Sequence, residues 1–199
     1  MRVLGIDPGS RLTGWGVVEE QGQAQVYLGS GTVVLDGKGD LAVRLARLGA
    51  ECGELLAAWR PAAVVLEQAF VARNVQSALR LGEARGAVLA AIGATGVALH
   101  EYAPAAVKLA AVGDGRADKG AIIRGVVRRL GLAEQLATDA ADALALALCH
   151  LQHAPLLAAI VATDGRSGMP QRGPRSASAR SGSSRKASAR SDSPRSDSL

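Results

Sequence analysis

Residues 40–68, "DLAVRLARLGAECGELLAAWRPAAVVLEQ", set an amphipathic helical pattern directly before a short, unbroken apolar run. Leu41, Leu45, Leu48, Cys52, Leu55 and Trp59 recur every three or four positions, while Arg44, Arg47, Glu51 and Glu54 take the other side. One stripe is therefore built to pack and one to meet water. Asp40 is placed to accept from the first free backbone N–H groups, and Pro61 cannot extend the helix because it has no N–H and its ring collides with the preceding turn. The run "AAVVLEQ" shows no polar alternation, the pattern of a strand covered on both faces. A helix feeding such a strand is a crossover between parallel neighbours, which commits the chain to an α/β sheet with helices packed on it.

The parallel neighbour lies upstream in "RVLGID", followed by "TGWGVVEE" and "AQVYLGSGTVVL" around Gln21-Gly22-Gln23, whose glycine suits a tight connection. Downstream, residues 75–92 predict a helix that Asn74 or Ser77 caps, and "GVALHEY" predicts a fifth strand. Pro104 suits the first turn of another helix, Asp118 caps one that turns Ile122, Ile123, Val126, Val127 and Leu130 inward, and Thr138 caps a last one through "DAADALALALCHLQ". The expected fold is a mixed five-stranded sheet, three antiparallel strands followed by parallel additions, flanked by helices within residues 1–162. Gly82, Gly86 and Ala90 leave a bare stripe on the second helix, suited either to tight packing on the sheet or to a contact between two copies.

A net charge of +5 suggests a nucleic-acid partner until it is located. From Thr163 onward there are eight Lys and Arg against three Asp and Glu, which leaves fifteen of each sign in residues 1–162. Residues 163–199 contain only Met169 and Leu199 as apolar side chains larger than alanine, too little to offset the entropy of ordering, and are expected to form a disordered basic tail. The tail is either a solubilising end or a non-specific phosphate-binding arm. Cys52 and Cys149 lie far apart, which supports neither a disulfide framework nor a thiolate metal site and fits a reducing cytoplasm. The longest weakly polar stretch, "GAVLAAIGATGVAL", has 14 residues, too short to span a bilayer.

Four acids stand at the ends of buried elements: Asp7 closes the first strand, Glu67 the fourth, and Asp139 and Asp142 sit three apart in the last helix. Singly, Asp7 suits a turn before Pro8-Gly9, and the helical pair favours the positive end of a helix dipole. Jointly they are harder to explain. Parallel, adjacent first and fourth strands bring Asp7 and Glu67 to the same sheet edge, and clustered carboxylates repel unless a cation neutralises them. An all-oxygen set with room for water suits Mg²⁺ or Mn²⁺ rather than zinc.

The blocks "LGIDPGSRLTGWGVV", "LEQAFVARNVQSALRLGEARGAV", "YAPAAVKLAAVGDGRADKGAI" and "ATDAADALALA" resemble, in order and spacing, the motifs of the RuvC family of bacterial Holliday-junction resolvases. The resemblance runs from about Arg2 to Gln152. It implies an RNase H-like fold, a homodimer, cooperation with the RuvA–RuvB branch-migration complex, and paired symmetric incision of four-way DNA junctions that leaves 5′-phosphate and 3′-hydroxyl ends. It also implies that Asp7, Glu67, Asp139 and Asp142 are the catalytic, metal-binding acids, holding two Mg²⁺ or Mn²⁺ ions about 3.5–4 Å apart, with Asp7 expected to bridge them.

The sole phenylalanine, Phe70, lies three residues past Glu67, either as a core side chain or as a platform that stacks on an unpaired base at the crossover. Phe70→Ala is expected to weaken junction distortion and cleavage; parental activity with a lower melting temperature would favour the core role. Only four lysines accompany nineteen arginines, and two of them, Lys108 and Lys119, fall in the third block. A compact ammonium suits a scissile phosphate beside metal ions better than a guanidinium fork does. Lys108, Lys119, Arg73 and Asn74 are the expected DNA contacts. An ATPase of the actin or sugar-kinase type would use "DPGS" as a phosphate loop but needs a second lobe, and an RNase H-like enzyme acting on RNA, or an inactive junction-binding scaffold, would share the fold.

Overall fold

The strand patterns above become a sheet in the order β3-β2-β1-β4-β5 in the computed structural model, which describes residues 1–35, 39–68, 74–133 and 136–164, the side chains of 156–164 excepted. β1 (Arg2–Asp7), β2 (Leu12–Gln21) and β3 (Ala24–Val34) form an antiparallel meander, and β4 (Ala63–Glu67) and β5 (Ala98–Tyr102) add in parallel beyond β1. Gly22, at φ +62°, makes the tight β2–β3 connection where a left-handed residue is needed. Phe70, Arg73 and the tail from residue 165 onward lie outside the described residues.

Helices cover both faces. α1 (Leu41–Trp59) and α2 (Val75–Thr95) enclose one cluster with Leu4, Ile6, Val17, Val64 and Leu66; α3 (Pro104–Val112), α4 (Lys119–Leu130) and α5 (Thr138–Asp164) enclose the other with Val3, Val18 and Val65. The continuous apolar runs of β1 and β4 follow from this, since each face of each strand is buried. A fully buried Leu or Val contributes about 1.5–3 kcal/mol, so the two clusters anchor the centre of the sheet and leave its rim for function.

The expected caps are present: Asp40 accepts from Ala42 N at 2.8 Å, Asp118 from Ala121 N at 2.7 Å, and Asn74, rather than Ser77, from Gln76 N and Ser77 N at 2.9 and 3.3 Å. At α5 the helix begins on Thr138 itself, and Ala137 already accepts the first helical bond from Ala141 N at 3.0 Å. α5 also continues through Pro155 to Asp164, past the expected domain end. α1 buries Leu48, Cys52 and Leu56, while Leu41 stays 42% exposed at its open first turn. Gly82 and Gly86 do not pack on the sheet. Both are exposed, and a Cβ at either would meet nothing within 4 Å, because α2 turns Ala84, Val88 and Ile92 inward. Among the described residues no helix is long and apolar enough to cross a membrane.

Candidate active site

Strand parity aims the first two acids. Along β1, Val3 belongs to the α5-side cluster, Leu4 and Ile6 to the other, and a Cβ at Gly5 would strike Ala143 of α5. Asp7 therefore faces α5. In β4, Val65 packs on the α5 side and Val64 and Leu66 opposite, so Glu67 shares that face. The parallel register runs Gly5↔Val65 and Ile6↔Leu66, which sets Asp7 and Glu67 side by side at the next step.

The helical acids arrive because β1 and β2 are stripped where α5 crosses them. Gly14 stands opposite Asp7 in the β1–β2 register, and a Cβ there would collide with the Asp139 carbonyl. A Cβ at Gly16 would come within 2.6 Å of Leu144 Cγ. These bare positions let the helix backbone rest on the strands, which delivers its first turn to the strand ends. Behind Asp7 the Pro8-Gly9 turn is closed by buried Thr13, whose hydroxyl accepts from Gly9 N at 3.3 Å and donates to Gly9 O at 3.4 Å.

Asp7, Glu67 and Asp142 line a cavity of about 200 Å³ together with Lys108 and Lys119. Burial, then the negative charges of Asp142, Glu67 and Asp139, push the Asp7 carboxyl up to about 7, against the pull of Lys119. Burial and Asp142 likewise raise Glu67, opposed by Lys108, Lys119 and Arg85. Asp142 is raised by burial first and held back by Lys119, whose Nζ lies 3.6 Å from Asp142 Oδ2. Asp139 is partly buried at the rim, where its charge acts on Asp7 and Asp142 without lining the cavity. Lys119 is 74% exposed, so its direct pairing with Asp142 is weak. Its larger effect is as a positive charge at the mouth. Lys119→Ala is expected to raise the Asp7 carboxyl further in the metal-free protein, readable as a displacement to higher pH of the fall in melting temperature, and to slow cleavage when Mg²⁺ or Mn²⁺ is supplied.

Sequence reasoning missed Arg85. Its Nη1 donates to the Glu67 carbonyl at 2.7 Å and its Nη2 pairs with Glu101, tying α2 to the ends of β4 and β5. The partners are 18 and 16 residues away, beyond any local pattern. His150 is buried in the core, its Nδ1 2.9 Å from the Tyr102 hydroxyl. Asn74 is exposed and engaged as the α2 cap, and Lys108 borders the carboxylate cavity.

For a divalent ion the fit lies in donor chemistry and charge. The acids are oxygen donors only, and their mutual repulsion is what a hard cation relieves. Among the described residues no three His, Cys, Asp or Glu side chains are gathered into a group that could hold a metal ion as they stand.

The family model described as crossover junction endodeoxyribonuclease RuvC matches residues 3–150, a span that contains all four acids and both lysines. The chain belongs to the RuvC family. The RuvC of Halorhodospira halophila is 50% identical, over 79% of this chain and 95% of that protein. The solved structure of Thermus thermophilus RuvC has a TM-score of 0.71 and 38% identity, over 78% of this chain and 96% of that one. A second structure, T. thermophilus RuvC in complex with Holliday junction substrate, has a TM-score of 0.71 at 35% identity, with coverage of 78% and 96%. The mixed sheet and its helices are thus the RuvC arrangement of the RNase H-like fold.

Proposed function

We propose that this chain is a RuvC nuclease that resolves four-way DNA junctions by paired symmetric incision, acting as a cytoplasmic homodimer alongside the RuvA–RuvB complex. The observation that carries this reading is the meeting of Asp7, Glu67 and Asp142 in one cavity bordered by Lys108 and Lys119. Asp7, Glu67, Asp139 and Asp142 are the residues that would hold two Mg²⁺ or Mn²⁺ ions. When bound, these supply an activated water and stabilise charge on the scissile phosphate and the leaving 3′ oxygen. Lys108 and Lys119 draw the phosphate toward the acids, and the Pro8-Gly9 turn with its Thr13 brace keeps the Asp7 carboxylate at the strand end. Phe70, Arg73 and Asn74 precede or open α2 and are assigned to the junction contact. Two copies match the two-fold symmetry of a four-way junction, and the exposed Gly82/Gly86 stripe suits the close approach of their helices.

The protein is to be incubated with four-way DNA, linear duplex, RNA·DNA hybrid and ATP, each with Mg²⁺ or Mn²⁺. Symmetric nicking confined to the junction is the expected result. Preference for the hybrid, or ATP hydrolysis, would overturn the reading, and a sedimenting monomer on bound junction would overturn the symmetric scheme.

A further inference from the structure

Across the sheet from the lysines, a cavity of about 340 Å³ lies between α1, α2 and the loop after β1. Arg11, Arg44 and Arg80 line it, with Glu83 as the one acid among the lining residues. The first turns of α1 and α2 border it through Leu41 and Gln76; their leading N–H groups are taken by the Asp40 and Asn74 caps, so the positive charge of the cavity is that of its guanidinium groups. Arg44 is held in place by Nη2, which donates to the Ser10 carbonyl at 2.8 Å. Its Nε is buried and has no acceptor among the described residues.

The location suits a polyanion that also reaches the acids. Ser10 lies three residues beyond Asp7. A smaller cavity of about 160 Å³, whose lining includes Asp7, Pro8, Glu67, Gly82 and Arg85, shares Asp7 and Glu67 with the carboxylate cavity and borders the same first turns of α2 as the arginine cavity, with no lining residue in common with it. The three openings thus follow one another around the ends of β1 and β4. We propose that Arg11, Arg44 and Arg80 hold a backbone phosphate of the DNA substrate on the face opposite Lys108 and Lys119, as a second anchor outside the carboxylate cavity. The assignment rests on the nuclease reading above. Guanidinium forks suit it, because they engage phosphate oxygens in pairs and their role is grip rather than chemistry.

The test compares the parent chain with Arg11→Gln/Arg80→Gln, two exposed side chains whose loss leaves the Ser10 bond intact, and with Arg44→Lys, which keeps the charge but removes the guanidinium fork and its bond to Ser10. Affinity for a four-way junction and for a linear duplex is measured across salt concentrations. The double variant is expected to bind about five- to tenfold more weakly near 0.1 M salt, with the slope of log affinity against log salt smaller by about 1 to 2. Arg44→Lys is expected to weaken binding with the slope kept. Unchanged affinity and slope in the double variant would overturn the proposal, as would an unchanged slope with dissociation of the dimer, which would make the groove and its exposed Leu41 and Leu79 a contact between copies. Equal parental affinity for duplex and junction would defeat the junction reading instead, while the slope change on either DNA would still decide the arginine site.

Discussion

Asp7→Asn is expected to melt at a higher temperature than the parent chain at pH 8 when both are free of metal, and to leave four-way junctions uncut when Mg²⁺ or Mn²⁺ is supplied. The stability gain follows from linkage. Burial, together with Asp142, Glu67 and Asp139, raises the Asp7 carboxyl from 3.8 to about 7 in the folded protein. The native state therefore keeps a proton that the unfolded chain releases above about pH 4. This contribution favours folding fully below the unfolded value, is lost as pH rises through about 7, and is flat beyond. By linkage the loss is at most about 4 kcal/mol, and the neutral amide avoids it. The melting temperatures of parent and variant should diverge between pH 4 and pH 7 and converge again in acid. His150, driven down to about 4 by burial and by His100 and His153, has the opposite slope, its stabilisation being complete above 6.5 and lost as pH falls toward 4. It is common to both proteins and cancels in the comparison. Added Mg²⁺ or Mn²⁺ should raise the melting temperature of the parent and not of the variant. Cleavage should fall about a thousandfold or more, since several kcal/mol of charge stabilisation depend on the ligand, while junction binding is retained. A variant that cuts at the parental rate, or whose stability tracks the parent at every pH, would remove Asp7 from the centre of the site.

Sequence pattern was sufficient wherever structure is made locally. The crossover from α1 into β4, the Asp40 and Asp118 caps and the Gly22 turn depend on neighbours a few residues apart, whereas the face that Asp7 and Glu67 share is set by the parallel β1–β4 register and by α5 above it. What pattern alone did not convey depends on elements distant in sequence. Arg85 becomes a site residue only because β4 and β5 end beside it. Arg44 reads locally as the solvated face of a helix, yet its partner Ser10 lies 34 residues away. Gly82 and Gly86 read as a stripe for packing on the sheet or for a contact between two copies, and the first is excluded because α2 has its inward face fixed by Ala84, Val88 and Ile92, with the glycines pointing out. The same residue type has the reverse meaning in β1 and β2. Alternate glycines in "TGWG" and the glycine of "LGID" signal that another backbone approaches, and only the position of α5 identifies which.

That contrast yields the second large effect. Gly14→Ala should lower stability by about 3 kcal/mol or more, a melting temperature drop of roughly 6–12 °C for a chain of this size, and should reduce cleavage about a hundredfold even at temperatures where the variant is folded. The added Cβ would run into the Asp139 carbonyl, with Asp139 Cβ a further 3.0 Å contact. A flexible side chain can swing aside from such a collision; a helix backbone cannot, so α5 must lift or slide. A second contact, Gly5 beneath Ala143, lies one turn along the same helix, which makes a local tilt about residue 139 costly as well. Because α5 carries both Asp139 and Asp142, any displacement moves two acids relative to Asp7 and Glu67, and a shift of about 1 Å is enough for the hundredfold loss. Gly53→Ala is the matched control: it lies inside α1, where open space surrounds the new methyl, and replacing a helical glycine should stabilise the folded chain by up to about 1 kcal/mol. Should Gly14→Ala keep both the parental melting temperature and the parental cutting rate, the close seating of α5 on β2 would not be what places the helical acids.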